Sequence, residues 1–319
     1  MANDTLTDVP GFKVGHVTNE IAATGCTVII CPPKTVGGVD VRGGAPGTRE
    51  TDLLQPHNHV SEVNAIVLSG GSAFGLASAQ GVVQYLEDNK LGYQSSAGYL
   101  VPIVPAAILF DLNVGDSTVR PDPDMGYQAA QNATMNAVLQ GSVGAGTGAF
   151  CGKIRGAEFG TKGGIGSASM EIADGLWVAA IVAVNAIGDV INEDGTIMAG
   201  VRDDDGQFIG TLNLLKQFAQ NPPQTDPHQN TVIGAIATNA QLSKAQITKV
   251  AQMAHDGIAR AVNPAHTTGD GDTIFALASG EIPADTTVIG SFAAEVMTQA
   301  IRNGIRHAKT LHGIRTWDM

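Results

Sequence analysis

The sequence predicts a mixed α/β domain, and three observations carry that expectation. Apolar runs of strand length recur along the chain, at Cys26 to Cys31, Val63 to Leu68, Trp177 to Val184 and Thr231 to Thr238. Segments with helical spacing separate them, which is the pattern of sheets covered by helices. No internal repeat occurs and no transition forces the 319 residues into two domains, so a single unit spanning 1–319 is expected.

Taken in order, the first residues, Met1 to Asp8, carry Asp4 and Asp8 but no basic segment followed by an apolar one. A secretory signal is therefore not expected, and the cytoplasm is the expected compartment. Cys26, Cys31 and Cys151 are odd in number and lack a C-x-x-C spacing, which fits free, part-buried thiols better than a disulfide framework or a zinc site. Phe74 to Glu87, opened by a glycine-rich turn, and Met125 to Leu139 read as helices. The apolar runs Val101 to Leu112 and Trp177 to Val184 are shorter than the roughly 20 residues a membrane helix needs.

Late in the chain the signals sharpen. Ser243 and Gln246 form a capping box, after which Ile247, Val250, Ala251, Ala254, Ile258 and Ala261 share one helical face until Asn263-Pro264. A second stripe runs through Phe292, Val296, Ala300, Ile301 and Ile305. Between the halves, Gln220 to Asn230 (QNPPQTDPHQN) holds three prolines and no periodicity, so an exposed, mobile linker is expected. TVIGAIAT follows at once, and such a continuous apolar run predicts a buried strand.

Net charge is −12, with 11 basic against 23 acidic residues in 1–230 and 7 against 7 in 231–319. That field repels a phosphate backbone and attracts an amine, although surface acid often serves solubility alone. Forty glycines exceed the usual share of roughly 7% without a short period, which assigns them to turns and close backbone approaches.

Several chemistries fail on spacing. Gly148 to Lys153 is one residue short of a phosphate-binding loop and continues with Ile154 where a hydroxyl is needed, and Gly70, Gly71 and Gly75 lack the dinucleotide order. Gly71-Ser72 has the wrong spacing for a serine-hydrolase elbow. His57 and His59 supply two metal ligands but no third, which favours surface histidines, and neither metal nor organic cofactor is implied.

Three features converge instead. Thr231 stands where linker meets strand, and a threonine freed at its amine carries its own base, since an α-amine titrates near 7.7 to 8. β-branched residues also suit strand starts on structural grounds alone. Asp270 and Asp272 flank Gly271 before an apolar strand, an arrangement able to hold an ammonium, polarise a hydroxyl or close an Asx-type turn. Asn185 is polar inside AAIVAVNAIGDV, where its amide either meets an oxyanion or fixes a loop.

With these residues in view, the chain resembles a family of self-processing N-terminal nucleophile hydrolases. It comprises D-esterase/L-aminopeptidases, β-aminopeptidases and nylon-oligomer (6-aminohexanoate-oligomer) endohydrolases. The similarity runs through GFKVGHVT, VLSGGSAFGL, VPIVPAAILFDL, GTGAFCGK, TKGGIGSAS, VAVNAIGDV and NTVIGAIATNAQLSKAQ, in one order over nearly the whole length. It implies a four-layer αββα sandwich cut at Asn230-Thr231 into chains 1–230 and 231–319. Thr231 matches the nucleophile, Asp270 and Asp272 the acidic pair, Asn185 the oxyanion asparagine and Lys162 the lysine beside a glycine pair. The family's catalytic tyrosine has no secure match, Tyr127 being the candidate. Some members carry serine as nucleophile and Ser and Glu at the acidic pair, so the Thr and Asp-x-Asp form here is nearer the nylon-oligomer hydrolases.

The expected function is hydrolysis of a small amide, peptide, amino-acid oligomer or ester, preferably with a free amine, through an acyl-enzyme. The resemblance also implies a homo-oligomer of processed units. Two alternatives stand beside it: an acyltransferase using the same threonine, and a scaffold that keeps the fold uncut.

Overall fold

Alternation of side chains along the central strands decides how the layers stack. The computed structural model describes residues 2–220 and 230–319. One five-stranded sheet is built from β1 (Lys13–Asn19), β2 (Thr24–Ile30), β4 (Thr48–Arg49), β5 (Ala65–Ser69) and β6 (Ala106–Ile108), in the order β1-β2-β5-β6-β4. The second takes β3 (Val36–Val41), β7 (Ile165–Ala173), β8 (Leu176–Asn185), β9 (Thr231–Gln241) and β10 (Thr273–Pro283), in the order β7-β8-β9-β10-β3. Each sheet contains one parallel pair, β5 with β6 and β9 with β10, and its remaining pairs are antiparallel.

In β8 and β9, Ala179, Ile181, Ala183, Ile233, Ala235 and Ala237 face the first sheet, where they meet Ile29, Ile66, Leu68 and Ala107. The alternate residues, among them Val178, Val182, Val232 and Ile236, face α4 (Lys244–Ala261) and α5 (Thr286–Arg306), which follow α3 (Thr211–Gln220) in the chain. The first sheet repeats this division. Val28, Ile30, Ala65 and Val67 face α1 (Ser78–Asp88) and α2 (Pro123–Gln131) through Ala79, Val82, Leu86 and Ala129. The result is a helix-sheet-sheet-helix stack whose middle core lies between the sheets. Strands buried on both faces read as continuous apolar runs, and each fully buried Val or Ile contributes roughly 1.5–3 kcal/mol.

The helices begin where their caps place them. Ser243 accepts the Gln246 N–H and Gln246 returns a bond to the Ser243 N–H at 2.8 Å, so the capping box stands as the sequence predicts. Asp122 caps α2 with Pro123 behind it, and Asp285 caps α5. Where α5 crosses β7, a Cβ on Gly166 would lie 1.9 Å from the Ala300 carbonyl oxygen, so only glycine lets the two backbones meet.

Four expectations need correction. The helix anticipated over Met125 to Leu139 ends at Gln131, because Thr134 exchanges backbone hydrogen bonds with Val14 (2.9 and 3.1 Å) and leaves Met135 and Leu139 57% and 67% exposed. Phe74 to Ala77 is 3-10 helix, with α1 starting at Ser78. The three cysteines are free but buried rather than part-buried, and burial drives all three thiols up, Cys151 to about 11. Asn230, expected in an exposed linker, is 1% exposed, while the rest of that anticipated linker, residues 221–229, lies outside the described residues. Among the described residues, no helix is long and apolar enough to cross a membrane.

Candidate active site

β9 starts at Thr231, and its antiparallel register with β8 sets Thr231 opposite Asn185, the last residue of that strand. By the period of two, both side chains share the face that Ile233 and Ala183 present to the other sheet. The apolar alternation that builds the middle core thus delivers a hydroxyl and an amide to its edge. Thr231 is 4% exposed and Asn185 fully buried.

On the other side of β9, the segment entering β10 runs parallel to it. Asn230 forms an isolated parallel bridge with Asp270: its N–H donates to the Gly269 carbonyl (3.3 Å) and its carbonyl accepts the Gly271 N–H (2.9 Å). The same Asn230 carbonyl oxygen accepts the Thr231 hydroxyl. A Cβ on Gly271 would stand 3.0 Å from Thr231 Oγ1 and 3.1 Å from the Ala45 carbonyl oxygen, so a bare backbone lies against the hydroxyl here.

Asp270 and Asp272 are each 2% exposed. Asp272 Oδ1 accepts the Val232 N–H at 2.7 Å, directly after the threonine. Its Oδ2 takes both the backbone N–H (3.1 Å) and the Nδ1–H (2.8 Å) of His266, a residue whose φ of +57° turns both donors onto one oxygen. Asp270 Oδ2 accepts the Thr267 N–H at 2.6 Å. Burial first, then the charge of Asp272, raises the Asp270 carboxyl to about 6.

Asn185 links two loops beneath the threonine. Its Nδ2 donates to the Phe110 carbonyl (3.0 Å) and its Oδ1 accepts the Phe150 N–H (3.2 Å). An amide NH₂ carries two hydrogens, and Phe110 takes one of them. Lys162 is fully buried, and its Nζ donates to the carbonyls of Gly146 (3.1 Å), Ala149 (2.7 Å) and Gly163 (2.7 Å). All three ammonium hydrogens are thereby spent on backbone carbonyls, two in the loop that carries Phe150 and one on the residue after the lysine, and none reaches Thr231. Lys153 sits over the Phe150 ring and donates to the Phe110 carbonyl at 3.4 Å. Desolvation by burial brings both lysines down to about 7.

Thr231, Asn230, Gly269, Ala45, Ser72, Ile108 and Phe110 line a pocket of about 190 Å³. The five residues singled out from the sequence therefore gather at one end of β9, with Lys162 set behind the Phe150 loop. Tyr127 does not join them: it lies on α2, where its hydroxyl bonds Asp88 at 3.1 Å. His57 and His59 are exposed, and no cluster of metal-ligating side chains occurs among the described residues. Two neighbours of these residues escaped sequence reasoning. His266 stands four residues before Asp270 without a motif of its own, and Lys153 was weighed only as part of a phosphate loop.

An αββα stack with a hydroxyl at the head of a central strand defines an N-terminal nucleophile type of hydrolase. The stack superposes on the L-aminopeptidase D-Ala-esterase/amidase of Ochrobactrum anthropi, described as a variant of that fold, with a TM-score of 0.72 at 20% identity over 97% of this chain and 87% of the other. The chain belongs to peptidase family S58, whose model matches residues 4–317, and is a hydrolase. An uncharacterized aminopeptidase of Mycobacterium tuberculosis is 40% identical over 98% of this chain and 97% of its own. The 6-aminohexanoate-oligomer endohydrolase of Paenarthrobacter ureafaciens is 30% identical over 92% and 84%.

Proposed function

We propose that the chain is one folding unit that cuts itself at Asn230-Thr231 and then works as an N-terminal threonine amidohydrolase. The observation that carries this reading is the double hold on the Asn230 carbonyl oxygen, by the hydroxyl of the next residue and by the Gly271 N–H. In processing, Thr231 Oγ1 bonds to the Asn230 carbonyl carbon and its proton passes by way of water to the Lys153 amine, which lies on the Phe110 carbonyl at the pocket and later returns it to the leaving nitrogen. The carbonyl oxygen becomes an oxyanion at which the Gly271 N–H already points. Collapse breaks the C–N bond, the nitrogen regains a proton, and an ester joins Asn230 to Thr231 Oγ1. Water then cleaves the ester into a 1–230 carboxylate and a 231–319 chain with a free amine.

In turnover, that amine accepts the hydroxyl proton while Oγ1 attacks a substrate amide or ester, and water releases the acyl group. Gly271 N–H and the second Nδ2 hydrogen of Asn185 receive the oxyanion. Lys162, with an amine near 7, is assigned to the site's proton balance from beneath the Phe150 loop, and Lys153 supplies a second such amine. Asp272 holds the backbone after the nucleophile, and Asp270 offers charge to a substrate ammonium. Substrates are small amides, peptides or amino-acid oligomers. Three buried, unpaired thiols favour a reducing compartment such as the cytoplasm. The exposed apolar residues Tyr99, Leu100 and Val101 favour a homo-oligomer, to be checked by light scattering. The net charge of −12 disfavours nucleic acid as a partner.

The reading is tested by the intact mass of purified protein together with amide hydrolysis, before and after ageing. Two chains with activity support it, and an active uncut chain sinks it.

A further inference from the structure

In the uncut chain, one residue already occupies the acyl side of the nucleophile. Asn230 bridges Asp270 as a parallel strand residue does, its N–H on the carbonyl of the residue before and its C=O on the N–H of the residue after. When the bond is cut and the new Asn230 end of the 1–230 chain withdraws, the Gly269 carbonyl and the Gly271 N–H lose their partner together. We propose that the acyl residue of a substrate takes over this one-residue β-bridge, so that the enzyme's acyl donors are α-aminoacyl amides and Asn230 is a built-in template for them. The inference rests on the processing reading given above.

Two consequences distinguish it from mere space beside a nucleophile. A parallel bridge needs the donor nitrogen and the acceptor carbonyl on a single Cα. A β-aminoacyl group inserts one more carbon, adding a bond of about 1.5 Å between them, and the two contacts are no longer made together. ε-Aminoacyl groups depart further. The second consequence concerns the side chain. That of Asn230 is buried, and neither its Nδ2 nor its Oδ1 has a hydrogen-bond partner among the described residues. A slot that accepts the shape of asparagine and leaves its amide unpaired favours leucine, which is nearly isosteric and needs no partner.

The experiment compares two series. Wild-type enzyme is assayed on the p-nitroanilides of L-leucine, L-asparagine, L-alanine and β-alanine, all with free amines, so that charge is constant. In parallel, the self-processing rates of the wild type and of Asn230→Leu are followed by intact mass. Leucyl over asparaginyl by about tenfold in kcat/KM, as expected for one buried unpaired amide, is the predicted result. Asn230→Leu processing at least as fast as wild type and alanyl exceeding β-alanyl complete it. If β-alanyl matches or beats alanyl, or asparaginyl beats leucyl, the template is overturned while a processed, active enzyme leaves the Thr231 reading standing. An enzyme active as the uncut chain overturns both. The substrate series needs no variant, so a misfolded Asn230→Leu protein does not protect the proposal.

Discussion

Thr231 and Asn185 stand directly opposite each other on adjacent antiparallel strands, at the end where both enter the space between the two sheets. Because they share one face of a continuous ladder, eight paired residues long, their separation is fixed by strand geometry rather than by loops. The amide is in turn locked by Phe110 and Phe150, so the site is preorganised before any substrate arrives.

Asn185→Ala removes one proposed oxyanion donor. A loss of about 10² to 10³ in kcat is expected, with processing also slowed if the same end of the sheet serves both reactions. The variant also strands the Phe110 carbonyl and Phe150 N–H, so a lowered Tm is expected beside it. Steady-state kinetics on folded variant give the answer: kcat within about threefold of wild type assigns Asn185 to loop support.

Gly271→Ala keeps the N–H that meets the Asn230 carbonyl but adds a methyl 3.0 Å from Thr231 Oγ1. Crowding at that distance moves the hydroxyl off line, and displacements of about 1 Å cost about 10²-fold in well-aligned reactions. Processing at least about tenfold slower than wild type is expected, with circular dichroism unchanged. Processing at the wild-type rate contradicts the close approach assigned to this glycine.

The Asp270 carboxyl, raised from 3.8 to about 6, gives the folded state the tighter hold on that proton. Its contribution to stability is therefore complete below about 3.8 and is lost as pH rises through about 6. Asp270→Asn does not titrate, so its Tm should gain on that of wild type between pH 4 and pH 7. Parallel Tm profiles for the two proteins across that interval disprove the raised value.

Substrate charge provides a separate check. Acetylating a substrate's amine leaves an N–H for the Gly269 carbonyl but removes the positive charge and adds an acetyl group, so the salt dependence and the Asp270→Asn variant are what isolate the acidic pair. Free amines should lead in kcat/KM, by a margin that shrinks in high salt and in Asp270→Asn. Equal rates for the free and acetylated forms remove amine recognition from the account and leave the threonine chemistry in place.

Most of the architecture was legible because it follows from periodicity. TVIGAIAT could only be a doubly buried strand, and the Ser243 to Gln246 box fixed the start of α4. The helix that ran too long, Met125 to Leu139, failed because spacing does not reveal a backbone partner such as Val14, more than a hundred residues away. The site was legible where it coincided with a break in an apolar pattern, as at Asn185, or with a strand start, as at Thr231. His266 was not, since its importance lies in a left-handed backbone that folds it onto Asp272. Lys162 was found by resemblance, but its saturation by three carbonyls depends on loops no local signal describes.

The central claim is that Thr231 becomes a nucleophile by freeing its own amine. Intact mass of the wild type and of Thr231→Ala, taken with amide hydrolysis on the same samples, tests it most directly. The account predicts chains of 230 and 89 residues with activity for the wild type, and a single folded, inactive chain of 319 residues for the variant. A wild type that hydrolyses amides while remaining one chain, or a Thr231→Ala protein that still cleaves or turns over, would contradict it.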